Sequence, residues 1–199
     1  IGDGTHGAGN LALKFGTGMT YTLGNVSTSG ISFISTSTAI QTIDWGGKTT
    51  GDIIFNGVGA YWRYLSTHTT GAAKVTLSNG TLDLNGQTCN WGVFDSNAAT
   101  ARTLMMGSSY ISTYGNSVSD NWATNSTTGL TVSPNTATLD MVVSSTNNNA
   151  VFISGGKDWA GLSLVLSGGG GHTIRQLAAT TFKSITKNVL APTANLEDR

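Results

Sequence analysis

The stretch AIQTIDWGGKTTGDIIFNGVGAYWRYL, residues 39–65, decides how this chain is read, because much of its plan returns at residues 150–177 as AVFISGGKDWAGLSLVLSGGGGHTIRQL. Each copy has an apolar alternating run, a Gly-Gly-Lys triplet (Gly46-Gly47-Lys48 and Gly155-Gly156-Lys157), a strand-like run, a glycine cluster and a further run with a large side chain. Strand, glycine corner and strand, repeated, is what a coiled sheet needs if each turn is to stack on the one before.

Outward from that stretch the same grammar continues. Leu11 to Phe15 and Met19 to Leu23 alternate with period two around Gly16-Thr17-Gly18, which predicts strand, corner, strand. Between the two copies, Asn79-Gly80 and Asn85-Gly86 flank the short alternating run Thr81-Leu82-Asp83-Leu84. Asn-Gly serves a hairpin, and it serves equally a corner that needs φ > 0. The expected fold is therefore all-β, a parallel β-helix or solenoid with glycine- and asparagine-rich corners, with an antiparallel β-sandwich as the alternative. No convincing amphipathic helix interrupts the runs, and parallel strands joined without helices favour the solenoid. Residues 1–10 read as an N-terminal loop or the end of a preceding module, residues 11–190 as the β-helical domain containing the repeat, and residues 191–199 as a linker or capping tail.

Composition narrows the function classes. Of 199 residues 10% are charged, against roughly 25% in ordinary soluble domains, and the excess lies in Gly, Ser, Thr and Asn. Ten basic and ten acidic residues cancel, so no field steers the surface toward a nucleic-acid backbone or an anionic membrane, and neither is expected as a partner. Cys89 is the single cysteine; it can form no internal disulfide and reads as a small buried hydrophobe.

The chemistry-bearing residues are sparse. Asp44, Asp52, Asp83, Asp95, Asp120, Asp140 and Asp158 are scattered, and Glu197 is the single glutamate. Glycoside hydrolysis needs two carboxylates roughly 5 to 9.5 Å apart; stacking of turns could bring Asp44 near Asp83 or Asp140, but isolated corner aspartates are the expectation. His6, His68 and His172 have no acidic or histidine neighbours at ligand spacing and are expected at the surface or in turns. Gly2-Asp3-Gly4 lacks the repetition of a calcium-binding solenoid. Gly168 to Gly171 lacks the Gly-Lys-Ser/Thr ending and the following helix of a phosphate loop, and the two Gly-Gly-Lys triplets fail the same test: Gly47-Lys48-Thr49 has the ending but neither the earlier glycine nor a following helix, and Lys157 is followed by Asp158. No catalytic, cofactor or metal residue is assigned, and no cofactor is expected. Among Trp45, Trp62, Trp91, Trp122 and Trp159, it is Trp122, inside the polar segment 116–128 (NSVSDNWATNSTT), that is the candidate for contact with a host-surface glycan. That segment reads as a loop projecting from the scaffold.

The runs Gly46 to Gly57, Val75 to Thr88, Arg102 to Ser109 and Phe152 to Lys157 resemble, in their order and repeat style, the repetitive β-helical structural proteins of tailed bacteriophages, over roughly residues 38–186. The resemblance implies a non-enzymatic virion protein at the particle surface or tail: a fibre, spike or decoration with a part in host attachment. It implies other virion proteins as partners, and a homo-oligomer with the trimer favoured. Two other readings stay open, a polysaccharide-binding or depolymerising tailspike and a segment of a bacterial surface adhesin.

Overall fold

The structure is a computed structural model that describes residues 11–13, 20–22, 30–115, 119–126, 128–143, 148–188 and 194–198. In chain order its strands are β1 (Leu11–Leu13), β2 (Thr20–Thr22), β3 (Ile31–Phe33), β4 (Ile40–Asp44), β5 (Ile53–Tyr64), β6 (His68–Thr69) and β7 (Lys74–Asp83). There follow β8 (Thr88–Trp91), β9 (Val93–Asp95), β10 (Arg102–Met105), β11 (Tyr110–Gly115), β12 (Ser119–Ala123) and β13 (Leu130–Ser133). The last are β14 (Thr138–Val143), β15 (Asn149–Ile153), β16 (Trp159–Gly168), β17 (Gly171–Gln176), β18 (Phe182–Asn188) and β19 (Ala194–Asp198).

Every pairing between these strands is parallel. The chain is a β-solenoid, and the antiparallel sandwich is excluded. Three rows of stacked strands make its faces. The first runs β1-β3-β5-β7-β9-β12-β15-β17-β19, and the third is the six-stranded sheet β18-β16-β14-β11-β8-β6. The second, β2-β4-β5-β7-β10-β13, joins the first because β5 and β7 are long enough to bend across both.

Register explains the core. One inward column of the first face reads Ile31, Ile53, Val75, Phe94, Trp122, Phe152, Ile174, Leu196. The corresponding column of the third face reads His68, Cys89, Ile111, Leu139, Leu164, Ile185. Because side chains alternate across a strand, parallel in-register stacking puts like upon like, and apolar residues meet without helices to cover them. Four steps of the first column span 22 residues (53 − 31, 75 − 53, 174 − 152, 196 − 174). Phe94 to Trp122 takes 28 and Trp122 to Phe152 takes 30. Those two longer turns carry the corner segments 96–101 and 124–129.

Corners hold the stack together. At Gly46-Gly47 both φ values are positive (58° and 69°), and the amide of Lys48 donates to the carbonyl of Trp45 at 3.0 Å. Gly155-Gly156 repeats this at 61° and 65°, with Lys157 donating to Ser154 at 3.2 Å. Two successive left-handed residues are the φ pattern of a type I′ turn, which glycine adopts without a Cβ clash. The local turn therefore recurs, although the first corner leaves the second face and the other leaves the first face. Asn79-Gly80 is no hairpin either. It lies inside β7, where a Cβ on Gly80 would sit 2.6 Å from the carbonyl oxygen of Gly57 on the turn beside it.

At the last rung the columns end in the open. Ile185 is 49% exposed and Leu196 67% exposed although both occupy inward register positions, and β18 and β19 each pair on one side among the described residues. Part of the expected tail is thus β19, a strand of the first face.

Candidate functional site

The residues singled out by type lie mostly inside the rod. Trp122, expected at an exposed position, is completely buried. Its ring lies 4.4 Å from that of Phe94 and 6.2 Å from that of Phe152, and Trp159 meets it edge-on at 6.0 Å. A glycan cannot reach it. The segment 116–128 is accordingly not a projecting loop throughout, since residues 119–123 form β12, and Asn121 and Thr124 are buried with the tryptophan. The other four tryptophans are buried as well.

His68 and His172 are also interior, against the expectation of surface or turn positions; His6 and Gly2-Asp3-Gly4 lie outside the described residues. His68 stacks on Trp45 with centroids 3.8 Å apart. Its Nδ1 faces two donors, Nε1–H of Trp91 and the hydroxyl of Tyr64, each at 3.1 Å, and its Nε2 lies 3.0 Å from Oγ1 of Thr50. Burial holds His68 down to about 3 and pushes the Tyr64 hydroxyl well up. The imidazole is neutral, with its proton on Nε2 because Nδ1 must accept. His172 lies 2.9 Å through Nε2 from the carbonyl of Met141, an acceptor that requires the proton there. Among the described residues no three His, Cys, Asp or Glu side chains come together to hold a metal. Cys89 is buried in the third-face column as expected, and burial pushes its thiol up.

The aspartates serve corners and pairs. Asp44 accepts from Ser66 Oγ at 2.6 Å and from the Gly46 amide at 3.0 Å, and these bonds hold it below the usual carboxylate range. Asp83 takes Nε of Arg63 at 2.8 Å, the Tyr61 hydroxyl at 2.9 Å and the Asn85 amide at 2.9 Å. Asp52 accepts the Lys74 amide, and Asp158 the Ala160 amide. Asp44 and Asp83 belong to the second face and Asp140 to the third.

Sequence reading passed over Arg102. It occupies an inward register position between Gly80 and Leu130. Its buried guanidinium donates to Ser96 Oγ (2.7 Å) and to the carbonyls of Ser96 (2.6 Å), Thr100 (2.9 Å), Ser126 (2.7 Å) and Thr128 (2.8 Å). Five neutral oxygens thus satisfy its five N–H groups. One side chain thus ties the corner after β9 to the corner after β12.

On the outside of the third face two aromatic rings reach solvent. Strand β11 points Tyr110 and Tyr114 outward, 43% and 39% exposed, with Ser112 between them on the same parity. Four residues of strand separate the tyrosines by about 13 Å. Ser112 is flanked in register by Asn90 and Asp140, and the row continues through Thr69 on one side and Val165 and Thr186 on the other. Tyr110 donates its hydroxyl to Oδ2 of Asp140 at 2.8 Å; burial, then this bond, raise its ionisation above the usual tyrosine value. Beside Tyr114 a depression of about 430 Å³ is lined by Thr69, Gly71, Ala72 and Asn90. The sequence signal for this face was Tyr-Ile-Ser-Thr-Tyr, in which both tyrosines share the parity opposite Ile111.

No protein-family model, curated protein or solved structure matches this chain.

Proposed function

We propose that this chain is a non-enzymatic structural module of a tailed-phage virion, a fibre, spike or surface decoration that spaces or displays other parts of the particle. The observation that carries the reading is the unbroken parallel stack, nine strands deep along its first face. Eight steps of about 4.8 Å give a rod of roughly 40 Å whose interior is filled and whose surface carries little charge. Such a body suits spacing and display better than catalysis. The fate of the aspartates supports the non-enzymatic part, since Asp44, Asp52, Asp83 and Asp158 are engaged in corner and pairing contacts. The viral part rests on the repeat-style resemblance, as do its location on the particle, its virion partners and the favoured homotrimer. Gold-conjugated antibody against this protein, imaged on whole phage particles, tests it: label on the tail or capsid surface is the expected result, and particles free of label refute it.

A further inference from the structure

We propose that Asn85 is a site of spontaneous self-modification: in the folded chain its side-chain amide is lost through a cyclic imide, while the other two Asn-Gly pairs, Asn56-Gly57 and Asn79-Gly80, are held back by the fold. The inference goes beyond the appendage reading and does not rest on it.

The chemistry needs a neighbour of the right kind. The main-chain nitrogen of the following residue gives its proton to hydroxide and attacks Cγ of the asparagine. The new N–Cγ bond closes an imide ring, the side-chain nitrogen leaves, and a proton from water completes the ammonia and returns the hydroxide. A second water opens the ring at either carbonyl, giving aspartate or, with the main chain rerouted through the side chain, isoaspartate. Glycine is the favoured successor because no Cβ obstructs the attacking nitrogen. Asn56, Asn79 and Asn85 all meet that condition, so sequence alone gives them equal standing.

The fold separates them. Asn85 and Gly86 are both exposed, at the corner between β7 and β8 that the Gln87 amide closes by donating to the Leu84 carbonyl at 2.9 Å. Asn85 sits at φ 52° and Gly86 at 73°, a left-handed pair that asparagine tolerates and glycine adopts freely. The amide of Gly86 makes no hydrogen bond among the described residues, so the attacking nitrogen faces solvent base unengaged. The Asn85 side chain is tethered by one bond, from Nδ2 to the Tyr64 carbonyl at 3.0 Å. That bond crosses to the adjacent rung, so its loss matters to the rod. In the product a carboxylate faces the carbonyl to which the amide donated, and isoaspartate also adds a methylene to the corner backbone.

Asn56-Gly57 and Asn79-Gly80 lie inside β5 and β7, where ring closure would need the strand to leave its neighbours. Gly80 is buried and its amide donates to the Ala101 carbonyl at 3.2 Å, while Nδ2 of Asn79 donates to Oδ1 of Asn56 at 2.6 Å. Gly57 is buried against the carbonyl of Ser35, too close to admit even a Cβ. Asn135 gives the complementary comparison. It is exposed at φ 48° in a similar corner, but its successor is Thr136, whose β-branched side chain crowds the nitrogen and whose amide donates to Gly107 at 3.0 Å. Among these four asparagines, Asn85 alone combines exposure, a glycine successor and an unbonded amide.

Peptide mapping by mass spectrometry tests this on the folded chain held at mildly alkaline pH, beside a sample unfolded in guanidinium chloride. In the fold, Asn85 should lose ammonia roughly tenfold or more faster than Asn56, Asn79 or Asn135, because an exposed corner opens at little cost and a paired strand does not. In the unfolded sample the three Asn-Gly pairs should react at comparable rates, with Asn135 behind. The product should take up label from water carrying heavy oxygen and run as a more acidic species, since the chain starts with ten acids and ten bases. Asn85→Gly, which suits the left-handed corner, should abolish that species. The acidic fraction should melt below the fresh chain, because the bond to Tyr64 is gone; equal midpoints would refute that consequence. Equal rates at Asn85 and at either strand asparagine in the folded chain overturn the inference. So does an Asn85 that stays intact in the fold while it reacts in guanidinium, or an acidic species that persists in Asn85→Gly.

Discussion

Trp91 donates its indole N–H to Nδ1 of His68 across 3.1 Å of dry core, and that one bond decides where the imidazole proton sits. Burial lowers His68 to about 3 in the folded chain, against an unfolded value near 6.5. The sign follows from linkage: between those values the unfolded chain binds a proton that the folded chain refuses, so stability falls as pH drops from about 6.5 toward 3 and is untouched by this group above that window. Urea midpoints collected from pH 7.5 to 4 should decline, with a total contribution on the order of 4 kcal/mol by pH 3. His68→Gln should be less stable at pH 7 and should lose most of the slope between pH 6.5 and 4.5. An unchanged slope would show that other groups set the acid limit.

Arg102→Met should destabilise the chain by roughly 3 kcal/mol, because it strands carbonyls that were desolvated around a guanidinium. Arg102→Lys should recover only part of this, since an ammonium has three donors where five are used. Limited proteolysis adds a local readout: cleavage within 96–101 or 124–128 should appear in both variants before global unfolding. Resistance equal to wild type would mean that the corners stand without the clamp.

Two glycines of similar φ should respond differently to alanine. Gly47 (φ 69°) has nothing within 4 Å of a built Cβ, so Gly47→Ala should cost only the strain of a left-handed alanine, about 1 kcal/mol. Gly80 (φ 77°) would drive its Cβ to 2.6 Å and 2.7 Å from the carbonyl oxygens of Gly57 and Ala60, and Gly80→Ala should cost several-fold more. Chemical denaturation of the pair decides; equal losses would mean that the neighbouring turn shifts freely.

Trp122→Ala should cost about 3 to 5 kcal/mol by opening a cavity between Phe94 and Phe152, whereas Tyr114→Ala at the surface should fall within about 1 kcal/mol of wild type. Thermal midpoints of the two variants measure the contrast. A mild effect at Trp122 would contradict its place in the column.

The sequence showed the architecture through period-two runs and glycine corners, and Gly46-Gly47 and Gly155-Gly156 do turn the chain in the same way. What it could not show was parity across turns. Trp122 sits among Asn121, Thr124 and Asn125, and only pairing with Phe94, 28 residues earlier, turns it inward. His68 in Ser-Thr-His-Thr-Thr looks like a turn residue, until register with Cys89 assigns it to the core. Both assignments depend on corner lengths, which vary from turn to turn and leave no periodic trace. Arg102 escaped for a related reason, because the carbonyls of Ser96, Thr100, Ser126 and Thr128 that it serves come from two corners that meet only once the rungs are stacked. Conversely, the parity of Tyr110 and Tyr114 was readable within one strand.

The 22-residue step between Ile31, Ile53 and Val75 has an evolutionary corollary. A gene segment of that length, duplicated in frame at a corner, would add one storey whose side chains already match the floors above and below. Reach could thus be lengthened or shortened by recombination, without a new core having to be invented.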